Sequence, residues 1–192
     1  QLTQRVAQQP NRMSAIFDWP KVGGKRISEL IKPVLERQTH FHCSYCDGSY
    51  MLSGDANATI DHFRPKSDTR FIRFAFDWHN LYLACRACQG FKKEQFDDLL
   101  LQPDAPDFEF ERYFEYDFYR HEINPQRFAL QEDPRRAEIT INIFRLNHPS
   151  RCETRRACIK LYLKAMRDAE FELDTCNYRY LLVLDELKPL IL

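Results

Sequence analysis

Two short cysteine pairs hold the most legible chemistry in this chain. Cys43-x-x-Cys46 and Cys85-x-x-Cys88 are separated by 38 intervening residues. Each pair puts two thiolates on one tight turn, and two pairs supply four soft ligands to one tetrahedral Zn²⁺. Four thiolates leave no open position, so the expected zinc is structural and holds together a motif whose own core is thin. The competing readings are two unrelated buried pairs or a redox CxxC; two pairs matching the spacing rule together favour zinc. The chain has seven cysteines. An odd count with two close pairs argues against a disulfide framework, and reduced, metal-bound thiols imply a cytoplasmic location. Cys152, Cys158 and Cys176 fall on expected helices without close partners and read as core residues. His40 and His42 flank the first pair and read as loop histidines, because four cysteines already fill the site.

Between the pairs lies Ile60-Asp61-His62-Phe63-Arg64-Pro65-Lys66-Ser67, then Asn80-Leu81, then Cys88-Gln89-Gly90-Phe91-Lys92. In this order the sequence resembles the zinc-containing, four-cysteine branch of the HNH (ββα-metal) endonucleases. That branch shows a CxxC, an Asp-His followed by Pro, an Asn-Leu, and a CxxC-Asn-x-x-Lys. The match covers about residues 40–95 and has several independent parts in fixed order.

The resemblance implies roles. His62 would be the general base, since a neutral imidazole can take a proton from water near neutral pH. Asp61 would be a hard oxygen ligand for a catalytic Mg²⁺ or similar divalent ion placed on the scissile phosphate. Asn80 would brace the loop carrying the base through backbone hydrogen bonds. Neighbouring residues on a regular strand point to opposite faces, so the backbone at Asp61-His62 is expected to bend or widen. One departure matters: the family's second metal ligand, usually Asn or His, is Gln89 here. Gln89 serves as ligand with an adjusted helix, or the ion leans on Asp61 and water, or the enzyme is impaired; the first is the expectation carried forward.

Basic residues surround this constellation. Arg64, Lys66, Arg70 and Arg73 follow His62 within one loop, and Arg64 and Lys66, with Lys92, are the candidate substrate-phosphate contacts. Arg151, Arg155, Arg156 and Lys160 read as a second backbone contact or a solvated helix face. Trp78 and the aromatic-rich stretch 108–119 read as packing.

The elements that must position these groups follow from patterning. Residues 28–39 have helical spacing, with Ser28 as N-cap and Pro33 as a kink or early stop. Residues 57–63 and 80–85 read as strands, 86–95 as a helix, and 97–133 as an irregular acidic and aromatic segment wrapping the core. Asp133-Pro134 opens a helix, with Asp133 as N-cap, although the alternation Ile139, Ile141, Ile143 leaves a strand open. Residues 149–171 and 176–188 read as further helices. The expected organisation is an N-terminal arm and helix at 1–39, a nuclease core with structural zinc at 40–96, and the acidic segment with C-terminal helices at 97–192. The expected fold class is α+β, a mostly helical chain around a zinc-stabilised ββα-metal core.

Bulk numbers set bounds. The 192 residues are 44% hydrophobic and 29% charged, with 28 basic and 28 acidic side chains. That excludes a disordered or fibrous protein and one that coats nucleic acid by bulk charge. No apolar run is long enough for a membrane span. Residues 1–96 hold 14 Lys+Arg against 9 Asp+Glu, and residues 97–192 hold 14 against 19. A basic front half suits phosphate, and an acidic back half suits a partner. The phrase around Asp61-His62, with Leu146-Asn147 and Arg155, looks like the HNH nuclease subunit of Septu-type antiphage systems, also found beside some retrons. That narrower resemblance implies an ATPase partner, while the HNH resemblance itself implies DNA or RNA cleavage leaving 5′-phosphate ends. The alternative is a catalytically impaired, zinc-stabilised binding or scaffold module.

Overall fold

The computed structural model describes residues 18–48, 58–130 and 132–167. Expectations for the arm before residue 18, for Cys176 and for the last helix lie outside the described residues. The chain divides into two compact units, Gln1–Tyr45 with Tyr50–Asp98, and Cys46–Ser49 with Leu99–Leu192. The architecture is α+β: helices with three two-stranded antiparallel sheets among the described residues.

In the first unit, β1 (Lys21–Val22) and β2 (Lys25–Arg26) form a tight hairpin. Its two turn residues, Gly23 and Gly24, both have positive φ, the backbone that a two-residue hairpin turn demands and glycine adopts without strain. The chain passes directly into α1 (Ile27–Gln38). Ser28 is not the N-cap: Arg26 holds that position with no side-chain cap. The Ile27 N–H instead donates to the Pro20 carbonyl at 2.8 Å, so the hairpin satisfies the helix start. Pro33 sits inside α1 without ending it. Leu35 and Ile31 bury against Ala58, Ile60 and Leu83, which docks the helix on the next sheet.

That sheet pairs β3 (Thr59–His62) with β4 (Leu81–Ala84), in the register Thr59↔Ala84 to His62↔Leu81. All four β4 residues are buried, as an apolar Leu-Tyr-Leu-Ala run requires. The pairing is regular through both Asp61 and His62, so the expected bend or widening of the backbone is not there. Residues 63–80 connect the strands through two 3-10 turns, Ile72–Phe74 and Trp78–Asn80. Helix α2 (Arg86–Lys92) follows β4 at once, with Cys85 as its N-cap.

The second unit corrects the reading of 97–133 as irregular. It contains α3 (Phe110–Tyr113) and a hairpin of β5 (Phe114–Asp117) and β6 (Glu122–Pro125). Leu101, Tyr113, Phe114, Ile123 and Ala137 form its core, with Phe108, Phe110, Tyr116 and Ile141 packed against them. The aromatic side chains therefore close an ordered hairpin onto α4 (Asp133–Phe144). The alternating isoleucines are helical, and Glu132 rather than Asp133 is the N-cap; Asp133 pairs with Arg112 at 2.9 Å instead. Helix α5 spans Pro149–Arg167. At its foot Asn147 accepts from the Ile123 N–H and donates to the Ile123 carbonyl, both at 2.8 Å. The buried Arg155 guanidinium donates to the carbonyls of His121 and Leu146, at 2.8 and 2.9 Å. Arg155 is thus a structural clamp, not part of a solvated face.

Candidate metal centre and neighbouring polar site

Cys43, Cys46, Cys85 and Cys88 converge, their sulfurs all within 4.8 Å of one another. A tetrahedral Zn²⁺ with Zn–S bonds of about 2.3 Å needs sulfurs ~3.8 Å apart, which the cluster admits. Local structure makes this possible. The left-handed backbone at Asp47 turns the chain just after Cys46, and the Ser44 N–H bonds to the Leu83 carbonyl at 2.8 Å, tying the first pair to β4. The Cys88 N–H donates to Cys85 Sγ at 3.4 Å, stabilising thiolate charge. Cys43 and Cys88 are fully buried, and no described cysteine is in a disulfide. The donor set therefore fits zinc, and among the described residues no other group of three or more His, Cys, Asp or Glu comes together.

Strand β3 carries Asp61 and His62 to opposite sides. Asp61 Oδ2 accepts from the Tyr45 hydroxyl at 2.7 Å and pairs with Lys92 Nζ at 3.0 Å. The same ammonium donates to the His62 carbonyl at 2.7 Å. Burial raises the Asp61 carboxyl above its usual range, with Lys92 and then the Tyr45 hydroxyl pulling the other way. Tyr45 is itself pushed up, chiefly by burial and then by Asp61. Lys92 has no exposed surface. It is not the phosphate-facing residue expected from sequence, because its ammonium is spent inside the protein.

His62 faces a different neighbourhood. Its Nε2–H donates to the Ala75 carbonyl at 3.0 Å, and its ring stacks on Trp19, with centroids 5.8 Å apart. That bond places the ring's lone pair on Nδ1. Burial, and then the charge of Lys66, lower its pKa from 6.5 to about 4, so the ring is neutral at pH 7.

Asn80 organises the connection between the strands. Its Oδ1 accepts from the Arg64 N–H at 2.7 Å, while Nδ2 donates to the carbonyls of Arg64 and Phe74 at 3.1 and 3.0 Å. One buried amide thus joins the loop's start to the turn just before Ala75, the partner of His62. Ser67 bonds to Glu94. The Lys66 ammonium is half-buried; burial lowers its pKa, and Glu94 and Asp61 oppose that. Arg64 lies over three rings, with its guanidinium carbon 5.4 Å from Phe74, 5.8 Å from Phe63 and 5.9 Å from Phe96, a cation–π seat. Arg70 pairs with Asp68 at 2.7 Å.

Gln89 is engaged elsewhere: its Oε1 accepts from the Thr59 hydroxyl at 2.7 Å. A divalent ion on Asp61 and Gln89 does not fit this arrangement, since Lys92 and Tyr45 hold the carboxylate and Thr59 holds the amide oxygen. The structure brings Asp61 and Lys92 together but turns the His62 ring to the opposite side of β3, where Asn80 braces its loop. It adds Tyr45, Trp19, Thr59 and the Ala75 carbonyl, which the sequence did not single out. Lys92 was readable: it lies four residues after Cys88 on the same face of α2, and Cys88 must point inward.

We found no protein family whose model matches this chain, and no curated protein that matches it in sequence.

Proposed function

We propose that this chain is a nucleic-acid phosphodiester hydrolase of the HNH type, with His62 as general base. The observation that carries this reading is the His62 ring. It is neutral and fixed in one tautomer by the Ala75 carbonyl, and Asn80 braces the loop behind it. The order β3, β4, α2 with two cysteine pairs supports the same reading. In it, a water proton passes to Nδ1, the resulting hydroxide attacks phosphorus, and the P–O3′ bond breaks, the leaving 3′-oxygen taking a proton from solvent. Arg64 and Lys66 hold the flanking phosphates. The four thiolates would hold a structural zinc that fixes the knuckle on β4 and supplies no step of the chemistry. A nuclease subunit of an antiphage complex, with an ATPase partner, remains the finer form of this proposal.

A cleavage panel of single- and double-stranded DNA and RNA tests it, comparing wild type with His62→Ala at equal zinc content. Loss of at least about a hundredfold in rate is expected, the usual contribution of a positioned base. Cleavage surviving unchanged overturns the assignment.

One observation favours a second reading. The Asp61–Lys92 pair stands where the resemblance puts a divalent ion, which suits a zinc-stabilised binding or scaffold module. No cleavage on any substrate, with tight nucleic-acid or protein binding retained, is the result that selects it.

A further inference from the structure

We infer that the Lys92 ammonium is the resident cation of Asp61, and that this chain holds no divalent ion there. The inference rests on how α2 lies against β3, and stands whether or not the centre hydrolyses phosphodiesters. Thr59 and Asp61 share one face of the strand. Gln89 and Lys92, three apart, share one face of the helix. The helix lays these faces together in one register: Gln89 on Thr59 at 2.7 Å and Lys92 on Asp61 at 3.0 Å. Bringing Gln89 to Asp61 instead would require α2 to slide by about one turn, roughly 5 Å. The cysteines forbid that slide, because Cys85 and Cys88 sit on the same helix start and are gathered with Cys43 and Cys46.

Space and charge agree. Mg²⁺ keeps several of its waters and near-octahedral geometry when bound, yet the Asp61 side chain is only 7% exposed. Two donors already converge on Oδ2, from Tyr45 and Lys92. The ammonium is held from a second direction by the His62 carbonyl at 2.7 Å, so expelling it would break that buried hydrogen bond as well. The positive charge expected from a divalent ion is thus built into the chain.

The test uses Mn²⁺ alone, followed by the electron paramagnetic resonance signal of the unbound ion, on full-length zinc-loaded protein. Mn²⁺ prefers oxygen donors and does not compete for four thiolates. Wild type and Asp61→Asn should leave Mn²⁺ equally unbound. Lys92→Met should gain a site at least about tenfold tighter, lost again in Lys92→Met with Asp61→Asn. One-to-one binding by wild type that Asp61→Asn abolishes overturns the inference, as does a folded, zinc-retaining Lys92→Met that gains no site. A second measurement needs no variant. The Lys92 ammonium should give a slowly exchanging ¹⁵N-edited signal coupled to Asp61, unchanged by saturating Mg²⁺. Its disappearance on adding Mg²⁺ would show that the ion displaces it. Cleavage activity enters neither readout, so failure here and failure of the hydrolase reading are distinguishable.

Discussion

Replacing Lys92 by Met removes one half of a buried ion pair and should be among the most damaging single changes outside the cysteines. The two side chains are 0% and 7% exposed and the charges lie 3.0 Å apart. At an effective dielectric constant near 20, a contact at that distance is worth about 5 kcal/mol gross. Desolvation of both groups offsets much of this, so the pair's net contribution is small. Breaking it is different: the surviving Asp61 carboxylate keeps the Tyr45 hydroxyl but loses its closest cation, in a site that is only 7% exposed. Loss of one partner of such a pair costs about 3–5 kcal/mol. Asp61→Asn strands the Lys92 ammonium in its turn, leaving it the His62 carbonyl, and should cost a comparable amount. The double variant Lys92→Met with Asp61→Asn strands neither charge and should recover at least about 2 kcal/mol relative to the sum of the singles. The assay is a double-mutant cycle by urea denaturation at pH 7, with zinc content checked for each protein. Single costs that add within about 0.5 kcal/mol would mean that the two groups do not hold each other, and would refute the reasoning.

Three further outcomes follow from the same geometry. Cys43→Ser should lose the metal and with it cooperative folding of the first unit, since a structural zinc supplies folding free energy of order 10 kcal/mol; unchanged thermal stability would count against the zinc frame. Asn80→Ala removes three hydrogen bonds from a buried amide and should cost about 2–4 kcal/mol, with the Arg64 amide proton losing protection in hydrogen exchange. His62 has its pKa lowered from 6.5 to about 4 in the folded chain. Between those values the unfolded chain binds a proton that the folded chain does not, so stability is complete above pH 6.5 and falls as pH drops toward 4, by about 3 kcal/mol in total. A denaturation series across that range should show the slope, and His62→Gln should flatten it.

Much of the first unit was legible because its signals are local. Two CxxC pairs with a strand-like run before each second element need only spacing to be recognised, and β3, β4 and α2 fall within a few residues of where the sequence puts them. The bracing role of Asn80 came from the resemblance, whose Asn-Leu falls between the cysteine pairs, and not from a local pattern, which would equally suit a plain turn residue. What the sequence hid depends on how elements meet. The helix register that gives Lys92 to Asp61 and Gln89 to Thr59 is set by packing across 30 residues of chain. Tyr45 lies inside the first cysteine pair, where attention falls on the sulfurs. In the second unit, Phe114, Tyr116 and Phe118 alternate with polar residues as a strand does, but the surrounding prolines and acids masked the hairpin. Arg155 read as a surface cation because its acceptors are backbone carbonyls, which no sequence pattern displays.

The most direct measurement on the frame that poses these groups is the zinc K-edge X-ray absorption spectrum of the purified chain. One zinc per chain with four sulfur scatterers at about 2.3 Å is the expected result. A first shell containing nitrogen or oxygen, or protein that folds fully with no zinc at all, would contradict it.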